Sequence, residues 1–531
     1  MKPPEPDGPA AAAAVRGTGD REDLAAPGQS ADGERPLSQP TSVAPAADRA
    51  ERLAGFARRH ALFGALLVIA TVVRVIAMLG YPGALLYGDS QAYVSEALHM
   101  QPNDDLGVLI RPTGYAGLLE LLHPLHSMVA VVAVQSLLGL GGGVAGYALL
   151  RRRGLPGWGA TLAMVPVLLS AYAVQLEHFV LSDTLFGFLV IMAVVVLMWW
   201  PDPPLWACGA AGLLLGLSAL VRSQGLALVL AFVVCMLYRL VNWRSVVGVL
   251  SLCAAFAIPV AGYATWFHST TGVFNLTSSD GAYLWARVTT FADCAKIKPP
   301  PGEKRLCMSI PVSERIYTPD YLWVGNTPIR RFADGAFGKR ADQVGLDFAL
   351  RAIREQPLAY ATAVWDSFSE SFLLHDTPTR GTIQRAGAPE ASMLQKLYAF
   401  PATSPAPPVP ADVAYFRAYD PASLHLRLVQ PFAGWILTYQ RYVVVAGPLL
   451  AIIALTGLAG ALIGWRRFGA PVLLPWLTGI ALVALPAITA EFDPRYVVCS
   501  VPPLCIAAAI SFPELASRAR RRRALPSRDS S

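Results

Sequence analysis

Ten apolar runs, each near 20 residues long, constrain this chain more than any other feature. They lie at about 61–80, 128–150, 157–176, 179–200, 204–221, 224–241, 245–267, 442–464, 469–489 and 496–513. A helix needs roughly 20 apolar residues to cross about 30 Å of hydrocarbon, and it satisfies its own backbone hydrogen bonds while doing so. Barrel strands would alternate in polarity, which these runs do not. Charge supports the same class: 54% of the 531 residues are apolar and 15% are charged, against about a quarter charged in soluble domains. The expected fold is an all-α polytopic membrane protein of about ten transmembrane helices.

Lys and Arg in the short connections orient it. Arg58 and Arg59, Arg151 to Arg153, Arg239 and Arg244, Arg466 and Arg467, and Arg520 to Arg523 all fall on one side if ten spans alternate. By the positive-inside rule that side is cytoplasmic and holds both termini, so the formal charge of +7 needs no nucleic acid to explain it.

Five regions follow. Residues 1–55 form a cytoplasmic tail; its first 50, rich in Pro, Ala, Gly and Asp, carry too little apolar surface to order, and no signal-peptide core precedes residue 61. Residues 56–267 form the N-terminal membrane core with a first outer loop at 81–127. Residues 268–441 form an extracytoplasmic domain, 442–513 return to the membrane, and 514–531 are a basic cytoplasmic tail. Within the domain, 344–374 has helical periodicity broken at Pro357, and 401–410 reads as a Pro-rich extended linker. Cys294 and Cys307 are the two cysteines outside the spans and are expected to pair in an oxidising compartment; two isolated thiols make a poor zinc site.

Ionisable residues collect on the outer side. Asp89 and Arg111 lie in the first outer loop with Tyr93 and Tyr115; Glu177, His178 and Asp183 lie between the third and fourth spans. Arg222 ends the fifth span, and Glu491, Asp493 and Arg495 lie between the ninth and tenth. Charge beside hydrocarbon generally faces a cavity or a partner, so a polar chamber is expected there. Taken singly, each residue also fits a plainer role. Asp89 with Ser90 fits the cap of a helix beginning near Gln91. Arg111 fits a snorkelling arginine, and Asp183 fits a partner for His178. Arg222 fits a lipid-phosphate contact, and the tyrosines fit an interfacial belt. Arg74, two turns inside the first span, fits a snorkelling or paired arginine.

Several of these segments together resemble the GT-C glycosyltransferases that use polyprenyl-phosphate sugars. The likeness is to family 39 and RgtA-like bacterial members, related to protein O-mannosyltransferases and the lipid A aminoarabinose transferase. The segments are Gly88-Asp89-Ser90-Gln91-Ala92-Tyr93, Arg111-Pro112-Thr113-Gly114-Tyr115, Leu181-Ser182-Asp183-Thr184-Leu185-Phe186, Leu220-Val221-Arg222-Ser223-Gln224-Gly225 and Asp493-Pro494-Arg495-Tyr496. The resemblance covers about residues 55–275 well and the rest in layout. It implies an inverting transfer from a polyprenyl-phosphate sugar to an extracytoplasmic protein, lipid or glycan acceptor. Asp89 would be the general base, with Arg222, Arg495 or Arg111 on the leaving phosphate. It also implies substrate contacts for Tyr93, Arg111, Tyr115, Glu177, His178, Asp183, Arg222, Asp493 and Arg495. Some relatives use a divalent metal, for which Asp89 with Glu177 or His178 would be the ligands. Ser90 stands where many relatives carry a second acid. No Walker or dinucleotide fingerprint is present. The competing readings are a flippase or transporter for a lipid-linked sugar and a non-catalytic envelope scaffold.

Overall fold

The computed structural model describes residues 44–86, 88–99, 110–237, 243–315, 320–323, 326–373, 400–403, 410–422, 427–463, 469–490 and 492–523. Among them the regular structure is helical, with one isolated parallel bridge between Leu85 and Phe179. Most of the tail expected at 1–55 lies outside the described residues, but Ala44–Gly80 (α1) shows that residues 44–55 are helical. Ala, Glu and Arg dominate there, and all three favour helix. The basic tail expected from 514 is likewise helical to Arg523, with 524–531 outside the described residues.

Among the described residues, five helices are long and apolar enough to cross a membrane: Ala54–Gly80 within α1, Met128–Arg152 (α4), Ser245–Thr271, Val472–Thr489 and Arg495–Phe512. Two bent pairs bring the count to seven. These are Gly157–Leu169 (α5) with Ala171–His178 (α6), bent by 47°, and Phe432–Tyr442 with Gly447–Ile463, bent by 54°. The other three expected spans are the shorter apolar helices Asp183–Met198 (α7), Leu205–Val221 (α8) and Gln224–Leu237 (α9). They are short for a reason the sequence displays: α7 opens on Asp183, and α8 stops at Arg222. Sixteen or seventeen residues reach only about 24–26 Å, so both charges sit inside the depth a full span would cover.

Glycines set the closest approaches. Gly212 and Gly216 of α8 face Trp243–Thr271 (α10), where an added Cβ would stand 2.1 Å from the Leu252 carbonyl and 2.6 Å from that of Phe256. This is the small-residue spacing that lets membrane helices touch along their backbones. The last helix, Pro494–Arg523, is central: it packs on Gly447–Ile463, Gly469–Thr489, α5 and α7.

The α5–α6 break is satisfied by side chains. Pro166 inside α5 removes a donor, and the turn at Ser170 leaves the Leu168 and Leu169 carbonyls without helical partners. Arg74 donates to Leu168 at 2.9 Å, and the Tyr439 hydroxyl donates to Leu169. Broken backbone at membrane depth requires such partners.

The 268–441 segment has its own core. Asp280–Val288 packs on Lys339–Glu355 around Trp285, Phe337 and Phe348, and Pro357 starts the next helix, Pro357–Glu370, as the interrupted periodicity predicts. Cys294 and Cys307 form a disulfide. Arg287, buried, donates to the Ala487 carbonyl at 3.0 Å and ties this core to the membrane helices. Ile110 also belongs to this core, so the loop carrying Arg111 is anchored from the 268–441 side.

Candidate active site

The chain after α1 is fastened to the chain after α6. Leu85 N–H donates to the His178 carbonyl, and Val180 N–H donates to that of Leu85. Ser90 Oγ donates to the Val180 carbonyl at 2.9 Å, and the Tyr93 hydroxyl lies 2.9 Å from Ser182 Oγ. This seam brings the start of Gly88–Ala97 (α2), with Asp89 in its first turn, beside the start of α7 at Asp183.

The third carboxylate, Asp493, precedes Pro494–Arg523 and accepts from the Arg495 N–H at 3.0 Å, with Pro494 in the first turn. All three carboxylates thus sit at helix starts, where the helix dipole favours negative charge.

Three arginines meet them. Arg111 Nη2 donates to Asp89 Oδ1 at 2.6 Å, and Arg495 Nη1 donates to Asp89 Oδ2 at 2.9 Å. Arg495 Nε lies 3.1 Å from Asp493 Oδ2. Arg222 Nη1 pairs with Asp183, whose other oxygen, Oδ2, is buried and has no hydrogen-bond partner among the described residues. Arg222 and Arg495 both stand over the Tyr496 ring, at 5.1 and 5.3 Å, and Arg111 stands 5.8 Å from that of Tyr93. Every one of these ionised side chains is at least 84% buried, so water screens their interactions little.

Burial alone would push the Asp89 acid up. The charges of Arg111 and Arg495 outweigh it and hold the group at about 2. Asp89 is therefore an ionised counter-ion with both oxygens engaged, not a helix cap. Tyr283, from Asp280–Val288, lies within electrostatic reach of Arg111 and Asp89, and burial pushes its phenol up to about 12.

A mainly apolar cleft runs between α4, the α5–α6 pair, α7 and the last helix; Leu138, Val167, Phe188, Ile191 and Val498 are among its walls. Asp183 and Thr184, at the edge of the charge cluster, and Glu177 also line it.

The candidates named from the sequence divide into two groups. Asp89, Tyr93, Arg111, Asp183, Arg222, Asp493 and Arg495 come together. Tyr115 packs edge-on against Tyr93, but its hydroxyl donates to Gln135, so it braces the cluster from behind. Glu177 and His178 are bonded to partners outside the cluster, although Glu177 lines the cleft. Glu177 is held by Arg74, and His178 Nε2 lies 2.8 Å from the Tyr81 carbonyl, so His178 is not the partner of Asp183. Glu491 lies outside the described residues. The donor set considered for a divalent metal, Asp89 with Glu177 or His178, does not fit one. Arginines occupy Asp89 and Glu177, and among the described residues no group of three or more His, Cys, Asp or Glu could hold an ion. The sequence reading missed Tyr283, whose sequence surroundings carry no signal. It also gave no role to Tyr496, although Asp493-Pro494-Arg495-Tyr496 was in view.

Fold and site together define a helical, multi-pass membrane protein with a buried arginine–aspartate cluster beside a mainly apolar cleft. No protein-family model matches the sequence, and no curated protein matches it. Among solved structures, it is similar to the Archaeoglobus fulgidus oligosaccharyltransferase, at 13% identity and a TM-score of 0.40, over 88% of this chain and 52% of that one. It is similar to ArnT from Cupriavidus metallidurans, at 13% and 0.34, over 87% and 79%. A third likeness is to the S. cerevisiae protein O-mannosyltransferase Pmt1–Pmt2 complex, at 15% and 0.33, over 43% and 35%. The chain thus spans about half the length of the archaeal enzyme, and likenesses this remote say nothing by themselves about activity.

Proposed function

We propose that this protein is a membrane glycosyltransferase that moves a sugar from a polyprenyl-phosphate donor to an acceptor hydroxyl, with inversion at the anomeric carbon. The observation that supports it most is the junction of the apolar cleft with the arginine cluster. The apolar lining of the first suits an isoprenoid chain, and the guanidiniums of the second suit a phosphodiester. Guanidinium groups bind phosphate oxygens in the same geometry as carboxylates, so a donor phosphate competes with Asp89 and Asp183 for Arg111, Arg495 and Arg222. Those arginines then neutralise the charge that grows on the departing phosphate. The chamber faces the extracytoplasmic side and both termini face the cytoplasm, on the strength of the arginine-rich connections.

The motif resemblance gives Asp89 the part of general base. In the resting chain it acts instead as the counter-ion that holds Arg111 and Arg495 in place for the phosphate. The test is transfer by the full chain in lipid nanodiscs, supplied with radiolabelled undecaprenyl-phosphate sugars and envelope membranes from a deletion strain as acceptor. Labelled acceptor should form with wild type, and Asp89→Asn, which loosens Arg111 and Arg495, should lower the yield at least about 100-fold. Labelled lipid that crosses a bilayer while no sugar moves would replace this reading with a flippase.

A further inference from the structure

The cluster leaves one step without a group to perform it. Inverting displacement needs a base on the face of the sugar opposite the leaving phosphate, whereas Asp89 touches the guanidiniums that would hold that phosphate. Glu96 lies on the same helix, seven residues on. At 100° per residue that returns it to the face of Asp89, about 10 Å further along the axis. Glu96 Oε1 is buried and has no hydrogen-bond partner among the described residues.

We propose that Glu96 is the second acid of the chamber and takes the proton from the acceptor hydroxyl. This rests on the glycosyl-transfer reading. The acceptor oxygen bonds to the anomeric carbon as the bond from that carbon to the phosphate oxygen breaks. The electron pair leaves with the polyprenyl phosphate, and the hydroxyl proton passes to the Glu96 carboxylate.

The surroundings suit a base. Burial pushes the Glu96 acid up to about 8, with Arg111 the opposing charge. Tyr263, from α10, also lies within electrostatic reach. Of the helices packed on α2, Gly114–Leu122 (α3) carries Tyr115, bonded to Gln135, and Glu120, paired with His99; Pro410–Tyr419 carries Tyr415, Arg417 and Tyr419, whose hydroxyl donates to the Leu119 carbonyl. On its own helix Glu96 has Asp89 and Tyr93, both already bonded. A base that titrates near 8 is matched to neutral conditions, whereas one held near 2 is a weak proton acceptor.

The experiment follows transfer from radiolabelled undecaprenyl-phosphate sugars between pH 5.5 and 9.5, with donor binding measured on the same nanodiscs. Wild type should gain rate about tenfold per pH unit below a midpoint near 8, because only ionised Glu96 can accept a proton. Glu96→Gln should lose at least about 100-fold in turnover at every pH while donor affinity stays within twofold, which also shows that it folds. Formate added to Glu96→Ala should restore part of the rate. Glu96→Gln within threefold of wild type, or a limb near 8 that persists in it, overturns the assignment and leaves glycosyl transfer standing. Wild type that transfers nothing from any donor overturns both.

Discussion

Arg74 in α1 grips Glu177 in α6 at two points, Nε to Oε2 and Nη2 to Oε1, each at 2.7 Å. The residues are 103 apart in sequence, and both are more than 90% buried. Arg74 also donates to the carbonyls of Ala70 and Leu168, so one guanidinium fixes both the charge and the broken helix. Gly139 makes room for it, since a Cβ there would stand 2.0 Å from Glu177 Oε1. Replacing one partner, as in Arg74→Met or Glu177→Gln, should cost roughly 3–5 kcal/mol, because a buried charge is left alone. Replacing both should cost less than the sum. A double-mutant cycle on unfolding in nanodiscs measures the coupling, and additive costs would refute the shared role.

How much of this was legible in the sequence depends on distance along the chain. The apolar runs and the break at Pro357 are local patterns, and both appear in the structure as helices, although among the described residues five to seven of them, not ten, are long enough to cross a membrane. Asp89, Asp183, Arg222, Asp493 and Arg495 were found because they interrupt apolar sequence, and charge there is costly enough to mark itself. Apart from the Cys294–Cys307 disulfide, pairings were not legible. Asp183 was matched to His178 five residues away, whereas its partner is Arg222, brought in by the α7–α8 hairpin. Glu177 falls with the chamber residues in sequence because it lies between the third and fourth spans, whereas its partner is Arg74 in the first span. Glu96 sits in the last turn of α2 with ordinary neighbours, and only burial sets it apart.

Its burial has a consequence for stability. With an acid at about 8 in the folded chain and 4.5 in the free residue, Glu96 binds more protons folded than unfolded between those values. Stability therefore falls as pH rises through this window. Glu96→Gln removes the loss, so the variant should gain on wild type by on the order of 1–2 kcal/mol between pH 5 and pH 9, allowing for the partial exposure of the side chain. Thermal unfolding at the two pH values reads the difference, and a constant gap would contradict the raised acid.

The disulfide closes a loop of 13 residues' separation in the 268–441 segment. Loop-closure entropy for a ring of that size corresponds to about 3 kcal/mol. Cys294→Ser with Cys307→Ser should therefore lower the unfolding temperature of that segment while leaving the membrane helices folded. Proteolysis timed against loss of helical signal separates the two. Equal loss in both would mean that the segment has no stability of its own.

Gly212 tests the packing of the membrane core. Its missing side chain lets α8 meet α10 at the Leu252 carbonyl, and α8 ends on Arg222. Gly212→Leu should push the two helices apart, cost about 1–3 kcal/mol and move Arg222 relative to Asp183. Gly262→Leu is the control, since nothing lies within 4 Å of a Cβ there. Similar unfolding temperatures for the two variants would show that the close approach contributes little.

Ile110 connects the 268–441 core to the chemistry. Its side chain is buried in that core, its carbonyl accepts from Ser279 Oγ at 3.1 Å, and the next residue is Arg111. Arg111 is therefore held from two directions, by Asp89 through its charge and by the core through its backbone neighbour. Ile110→Ala removes no group from the charge cluster, yet it opens a cavity costing about 2–5 kcal/mol that the loop can relax into. A displacement of about 1 Å at a positioned group lowers catalytic rates by around 100-fold. Ile110→Ala should accordingly lower sugar transfer by about that factor while the membrane helices stay folded. Ile110→Val, which keeps most of the contact, should stay within a few-fold of wild type. If both variants transfer at the wild-type rate, Asp89 alone positions Arg111, and the 268–441 core contributes nothing to the site.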